Sequence, residues 1–134
     1  MRVIIIAEAG VNHNGDLALA KELVDVAKNS GADYVKFQTF SASALVTRAA
    51  PKAKYQIRNG NSEENHFDMI KRLELSNEMH NQLISHCHSK GIGFMSSGFD
   101  IDSVKYLRNL GASIIKIPSG EITSLPYLRY IGGC

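Results

Sequence analysis

Short continuous apolar runs alternate along this chain with longer stretches whose apolar residues recur at helical spacing. Val3 to Ala9 is continuous and rich in β-branched residues, the pattern of a buried parallel strand, with Glu8 near its C-terminal end. A polar, glycine-bounded loop follows, Gly10-Val11-Asn12-His13-Asn14-Gly15. From Asp16 to Ser30 the stripe of Ala20, Leu23, Val24 and Ala27 predicts a helix, capped by Asp16 and ended by Gly31. Tyr34 to Gln38 predicts a second strand. Residues 39–75 then form a long connection with Arg48, Pro51, Lys52, Lys54, Tyr55 and an Asn59-Gly60 turn signal, and Phe67, Ile70 and Leu73 suggest a short helix within it. A connection of that length in a compact domain is usually functional or disordered.

Ser76 caps the next predicted helix, whose Met79, Leu83, Ile84 and Cys87 face inward until Gly91 ends it. A third strand runs from Ile92 to Ser97. Asp100 starts a helix bearing Val104, Leu107 and Leu110, ended by Gly111; Ile114 to Ile117 is the fourth strand, and Ser124 to Ile131 a last helix with Pro126 in its first turn. Strand and helix alternate, with polar residues gathered after each strand, which predicts a parallel α/β fold with its site at the carboxyl ends of the strands.

Two lysines lie inside strand-like runs. In Ile114-Ile115-Lys116-Ile117, strand alternation puts Lys116 on one face with Ile114, so an ammonium is pushed inward and needs an anionic partner. Pro118, Ser119 and Gly120 follow, and the hydroxyl and backbone amides of such a turn suit phosphate or carboxylate oxygens. The stretch from Gly31 to Gln38 parallels that from Gly111 to Ile117, with Lys36 at the same step and Gln38 sharing its face. Residues projecting from within strands favour a TIM (β/α)₈ barrel over a doubly wound sheet. A complete barrel needs roughly 250 residues, so about four β/α units, the N-terminal half, are expected here, as one domain spanning residues 1–134. The bland readings stay open: a strand-end lysine can snorkel to solvent, Glu8 can cap the next loop, His13 can be satisfied by backbone, and Lys52 and Lys54 can form a solvated face.

Composition adds mainly exclusions. The 134 residues are 44% hydrophobic and 21% charged with a net charge of +2, which points away from nucleic acid and anionic membranes and toward a small-molecule partner. Cys87 and Cys134 form no metal-type spacing or disulfide framework and read as reduced thiols. No run is long enough to span a bilayer, and a cytoplasmic location is expected. His86 and His88 point apart on their helix, which argues against a metal pair.

Taken in order, Ile5-Ile6-Ala7-Glu8-Ala9-Gly10-Val11-Asn12-His13-Asn14-Gly15, Val35-Lys36-Phe37-Gln38-Thr39-Phe40 and Lys116-Ile117-Pro118-Ser119-Gly120-Glu121 resemble the N-terminal half of the sialic acid synthases. Ala50 to Gln56 and Leu73-Glu74-Leu75-Ser76 are similar to the same family, and the likeness covers the whole chain.

That resemblance implies a TIM-barrel transferase that condenses phosphoenolpyruvate with N-acetylmannosamine to give N-acetylneuraminate and phosphate, the alternatives being a legionaminic or pseudaminic acid synthase. It implies Lys36, Ser97, Lys116 and Ser119 as phosphoenolpyruvate ligands, and Glu8, Gln38 and Glu121 as residues handling the sugar or the attacking water. Asn12, His13 and Tyr55 are possible site-lining residues. It further implies a divalent metal, manganese or magnesium, whose two histidine ligands are expected downstream of Cys134 together with a C-terminal antifreeze-like domain. A homodimer is expected at full length, and no catalysis by the 134 residues alone. Where many members have Ser-Thr-Pro-Phe, this chain has Ser96-Ser97-Gly98-Phe99, which is expected to keep the hydroxyl and loosen the loop. Two readings from other classes are a barrel lyase using Lys36 or Lys116 as a Schiff base, and a non-catalytic anion-binding fragment.

Overall fold

The computed structural model describes residues 2–47 and 65–133. A three-stranded parallel sheet in the order β1 (Ile6–Gly10), β2 (Tyr34–Thr39), β3 (Gly93–Gly98) carries helices α1 (Leu17–Asn29) and α4 (Asn77–Lys90) on one face. Short helices α2 (Ala42–Leu45) and α3 (His66–Arg72) belong to the connection after β2. Helix α5 (Ile101–Asn109) follows β3, and α6 (Leu125–Gly132) follows a 3₁₀ turn at Ser119–Glu121. No helix among the described residues is long and apolar enough to cross a membrane.

The helix ends follow the caps expected of them. Asp16 Oδ1 accepts from the Ala18 and Leu19 amides at 2.7 and 3.2 Å, Ser76 Oγ from Met79 at 3.2 Å, and Asp100 Oδ1 from Ser103 at 2.8 Å. Strand alternation then divides β2. Val35 and Phe37 are fully buried in the layer between sheet and helices, with Val24, Ala20, Leu83 and Cys87, and Phe37 stacks on Phe94 at 5.9 Å. Lys36 and Gln38 project from the opposite face.

Three expectations change. The first strand is shorter and less covered than its composition predicts: Val3, Ile4, Ile5 and Ile6 are exposed, from 73% down to 42%, because β1 is an edge that pairs only with β2 among the described residues. In α4, Leu83 and Cys87 are buried and Met79 packs against the core as expected, but His80 is buried with them and Ile84 is only half-buried. Most consequentially, Ile114 to Ile117 does not form a strand, since residues 113–118 pair with no ladder among the described residues. β-Propensity records the fit of a side chain to a paired, half-buried surface, and without a pairing partner these isoleucines do not make a strand.

Candidate functional site

The parallel register puts Glu8 opposite Lys36 and Gln38 opposite Ser97. Lys36 is 8% exposed and forms an ion pair with the Glu8 carboxylate, while its ammonium reaches Ser97 Oγ at 3.5 Å, the outer limit of a hydrogen bond. An ammonium has three donors, so these two contacts leave one N–H for a ligand. The irregular register between Glu8 and Gly10 closes the cluster. Gly10 has φ +56°, and a Cβ there would lie 3.2 Å from Glu8 Oε1 and 3.5 Å from Gln38 Nε2. A side chain at Gly10 would be strained by the backbone and would crowd both groups. Glu8, Lys36, Gln38 and Ser97 thus converge at the C-terminal ends of three parallel strands.

The second expected group is placed less tightly. Lys116 is half-buried with no ion-pair partner among the described residues, and Ser119 is exposed. Glu121 closes the 3₁₀ turn, its amide donating to the Pro118 carbonyl at 3.0 Å. Tyr127, a residue the sequence pattern did not single out, ties the following helix α6 to the end of β3. Tyr127 is buried and its hydroxyl donates to the Gly98 carbonyl at 2.6 Å. Burial, with the negative charges of Glu121 and Asp100, pushes this phenol up to about 12. The Tyr127 bond also corrects the expected loosening at Gly98. That residue is a buried member of β3, and a Cβ on it would meet Val104 Cγ2 at 2.8 Å and the Val104 amide nitrogen at 3.0 Å. Glycine here lets the start of α5 seat against the strand, and Phe99 continues the pairing by donating to the Thr39 carbonyl at 3.1 Å.

Of the possible lining residues, His13 is placed away from the cluster. Asn12 is exposed in the loop after β1, and Tyr55 lies outside the described residues, as do Arg48, Pro51, Lys52, Lys54, Asn59, Gly60 and Cys134. His13 is fully buried on the helix side of the sheet, its ring 6.1 Å from Phe37, so it does not share the face of Lys36. Its Nδ1 accepts from the Gly15 amide at 3.0 Å, which places the proton of the neutral ring on Nε2, a buried donor without a partner among the described residues. His86 pairs with Asp25 of α1 at 2.8 Å, and with Lys90 it holds that carboxyl below its usual range. Among the described residues no group of three or more His, Cys, Asp or Glu side chains is placed to hold a metal ion, and Glu8 is engaged by Lys36. The described residues therefore do not fit the divalent metal that the resemblance implies.

Sequence patterning also missed a buried polar group behind the cluster: His80, Thr39 and Ser96. His80 lies on the buried stripe of α4 at i−3 from Leu83 and i−7 from Cys87, a spacing that could have flagged it as core-facing. Desolvation by burial lowers its pKa, and lowers that of His13 with a contribution from the nearby His80. A histidine whose folded pKa is depressed contributes stability that is whole above its unfolded pKa near 6.5 and is lost as pH falls below that value. The melting temperature is accordingly expected to hold between about pH 7 and 8 and to decline below about 6.5. Replacing His80 with glutamine should flatten part of that decline, and equal slopes in both proteins would show that His80 carries none of it.

The fold and cluster define an α/β protein that gathers a buried cation, a hydroxyl, an amide and a carboxylate where parallel strands end, an arrangement suited to an anionic small molecule. The chain belongs to the NeuB family, the sialic acid synthase family, whose family model matches residues 23–134. It is 56% identical over 130 residues to the N,N'-diacetyllegionaminic acid synthase of Legionella pneumophila, covering 97% of this chain and 36% of that one. The enzyme of the same name from Campylobacter jejuni is 51% identical over 130 residues, covering 97% and 39%. Human N-acetylneuraminate-9-phosphate synthase is 35% identical over 125 residues, covering 93% and 34%. Among solved structures, the N-acetylneuraminic acid synthetase of Leptospira borgpetersenii, in complex with citrate, superposes with a TM-score of 0.79 at 29% identity, covering 99% of this chain and 42% of that one. The chain thus spans between about a third and two fifths of the length of these curated relatives.

Proposed function

We propose that this chain is part of a nonulosonic acid synthase of the legionaminic type, condensing phosphoenolpyruvate with a diacetamido hexose. The observation that carries the chemistry is the convergence of Glu8, Lys36 and Ser97 at the strand ends, with Gln38 beside Glu8. The choice of product rests on identities of 56% and 51% to two N,N'-diacetyllegionaminic acid synthases, against 35% to the human N-acetylneuraminate-9-phosphate synthase and 34% to the pseudaminic acid synthase of Helicobacter pylori. These favour the legionaminic alternative over the N-acetylneuraminate reading of the sequence. The described residues would form the first part of a (β/α)₈ barrel, with the strand ends facing its catalytic mouth.

In this reading Lys36 and Lys116 hold the phosphate and carboxylate of phosphoenolpyruvate, with Ser97 and Ser119 donating to the remaining oxygens. The methylene carbon of the enol ester attacks the open-chain sugar aldehyde, whose oxygen takes up a proton as the new carbon–carbon bond forms. Water adds at the resulting cationic carbon, losing a proton, and phosphate leaves as the keto group forms. Glu8 and Glu121 orient sugar hydroxyls or take the proton of water, and Gln38 orients the acceptor. A divalent metal would be held outside the described residues.

The test is a competition at the native length of the protein, with phosphoenolpyruvate and equimolar 2,4-diacetamido-hexose and N-acetylmannosamine. A site that pairs the second acetamido group loses those hydrogen bonds with the simpler sugar, so kcat/KM should favour the diacetamido acceptor by roughly 10²-fold or more. Preference for N-acetylmannosamine would return the reading to an N-acetylneuraminate synthase, and no phosphate release with either sugar would remove the synthase reading.

A further inference from the structure

Directly behind the cluster, on the helix side of β2 and β3, runs a buried chain of polar groups. His80 Nδ1 lies 2.9 Å from the Ser76 carbonyl, His80 Nε2 lies 2.8 Å from Thr39 Oγ1, and Thr39 Oγ1 lies 2.7 Å from Ser96 Oγ. Their directions follow from chemistry. A carbonyl only accepts, so Nδ1 donates to Ser76; the Nε2 of a neutral ring then accepts, so the Thr39 hydroxyl donates to it; and the Ser96 hydroxyl donates to Thr39. All three side chains are buried, and the imidazole is held edge-on between Tyr106 at 5.2 Å and Phe94 at 6.3 Å. Every hydroxyl proton and imidazole nitrogen in this chain is used, which is the condition under which a buried polar network rigidifies its surroundings.

Each strand member of the chain is the immediate neighbour of a residue on the opposite face. Thr39 follows Gln38 and Ser96 precedes Ser97, and Gln38 and Ser97 are register partners. We propose that His80, Thr39 and Ser96 are positioning residues, a hydrogen-bonded clamp that fixes the ends of β2 and β3 to the first turn of α4 and thereby aims Ser97 at the anionic ligand and Gln38 at the acceptor beside it. The clamp gives α4, whose start follows the long connection, a direct hold on the geometry of the cluster. This proposal rests on the synthase reading only for its kinetic consequence; the aim of the strand ends is independent of it.

The test compares substitutions that break the chain with near-isosteric ones that keep it: Thr39→Val against Thr39→Ser, and His80→Leu against His80→Gln, in the protein at native length. Amide hydrogen exchange at Gln38 and Ser97 should quicken about tenfold in Thr39→Val and His80→Leu and stay within about twofold of the unsubstituted protein in Thr39→Ser and His80→Gln. With phosphoenolpyruvate and the diacetamido acceptor, kcat/KM should fall about tenfold in the breaking pair, which still melt cooperatively, and be restored in the keeping pair. Unchanged exchange in Thr39→Val would overturn the clamp whatever the substrate. Altered exchange with unaltered kinetics in an active enzyme would also overturn it, leaving the synthase reading in place. Altered exchange in a protein that never consumes phosphoenolpyruvate would sink the synthase reading and leave the clamp standing.

Discussion

Lys36→Met is expected to lower kcat/KM for phosphoenolpyruvate by roughly 10²-fold to several times 10³-fold while the protein keeps its fold. Methionine preserves the stem that packs within the sheet and removes only the ammonium. An anionic ligand in that place would then lose its buried counter-charge, and removing one partner of a desolvated pair costs about 3–5 kcal/mol. At about 1.4 kcal/mol per factor of ten, the rate falls by the range given. The fold tolerates the change because the partner left behind is not buried: the Glu8 side chain is 54% exposed and can be hydrated where it stands. Steady-state kinetics over a range of phosphoenolpyruvate concentrations, with a thermal melt of the same sample, separates the two effects. Activity within about tenfold of the unsubstituted enzyme would mean that Lys36 is a structural partner for Glu8 and not a ligand. A Schiff-base lyase would also lose activity in this variant, but only that mechanism would leave a borohydride-trapped adduct on the unsubstituted lysine.

The course of the chain was legible in the sequence wherever local chemistry is sufficient. Asp16, Ser76 and Asp100 cap the helices they were expected to cap, and the glycines at 31, 91 and 111 adopt the positive φ that ends each one. Period-2 alternation placed Lys36 and Gln38 together opposite Phe37, which is why much of the cluster could be read without a structure. What failed depended on partners. Whether Ile114 to Ile117 becomes a strand is decided by a neighbouring ladder that its own residues cannot encode, and the exposure of Val3 to Ile6 likewise reflects what lies beside the edge. His80 and Tyr127 escaped for a different reason. Each looks like an ordinary half-polar helix residue, and each matters through one hydrogen bond to a strand distant in sequence, to Thr39 and to Gly98 respectively. Gly98 shows the opposite error: read locally, glycine loosens a loop, whereas in the fold it permits the contact with Val104 that seats α5.

The 134-residue chain produced by itself is expected to associate with itself and to release no measurable phosphate from phosphoenolpyruvate. Ile6 at the start of the edge strand β1, and Val3, Ile4 and Ile5 leading into it, are each more than two fifths accessible, and Ile122 and Leu125 are exposed near the other end of the chain. An uncovered edge offers unpaired amides and carbonyls as a template for another strand, and an apolar edge adds the area that makes such pairing favourable. The Lys36 face is open for the same reason. Water reaches the carboxylate of Glu8, so an anion bound beside it would be screened and would gain little of the preorganised, dry electrostatics on which such a condensation depends. Light scattering across a concentration series should give a mass that rises above the monomer, and Ile4→Lys with Ile5→Lys should return it toward the monomer, because charge on an edge opposes pairing. Those two substitutions should not restore turnover, since they solubilise the edge without covering the site. A clean monomer at high concentration that also consumed phosphoenolpyruvate would show that three strands and their open cluster suffice for the chemistry, and the barrel reading would have lost its physical argument.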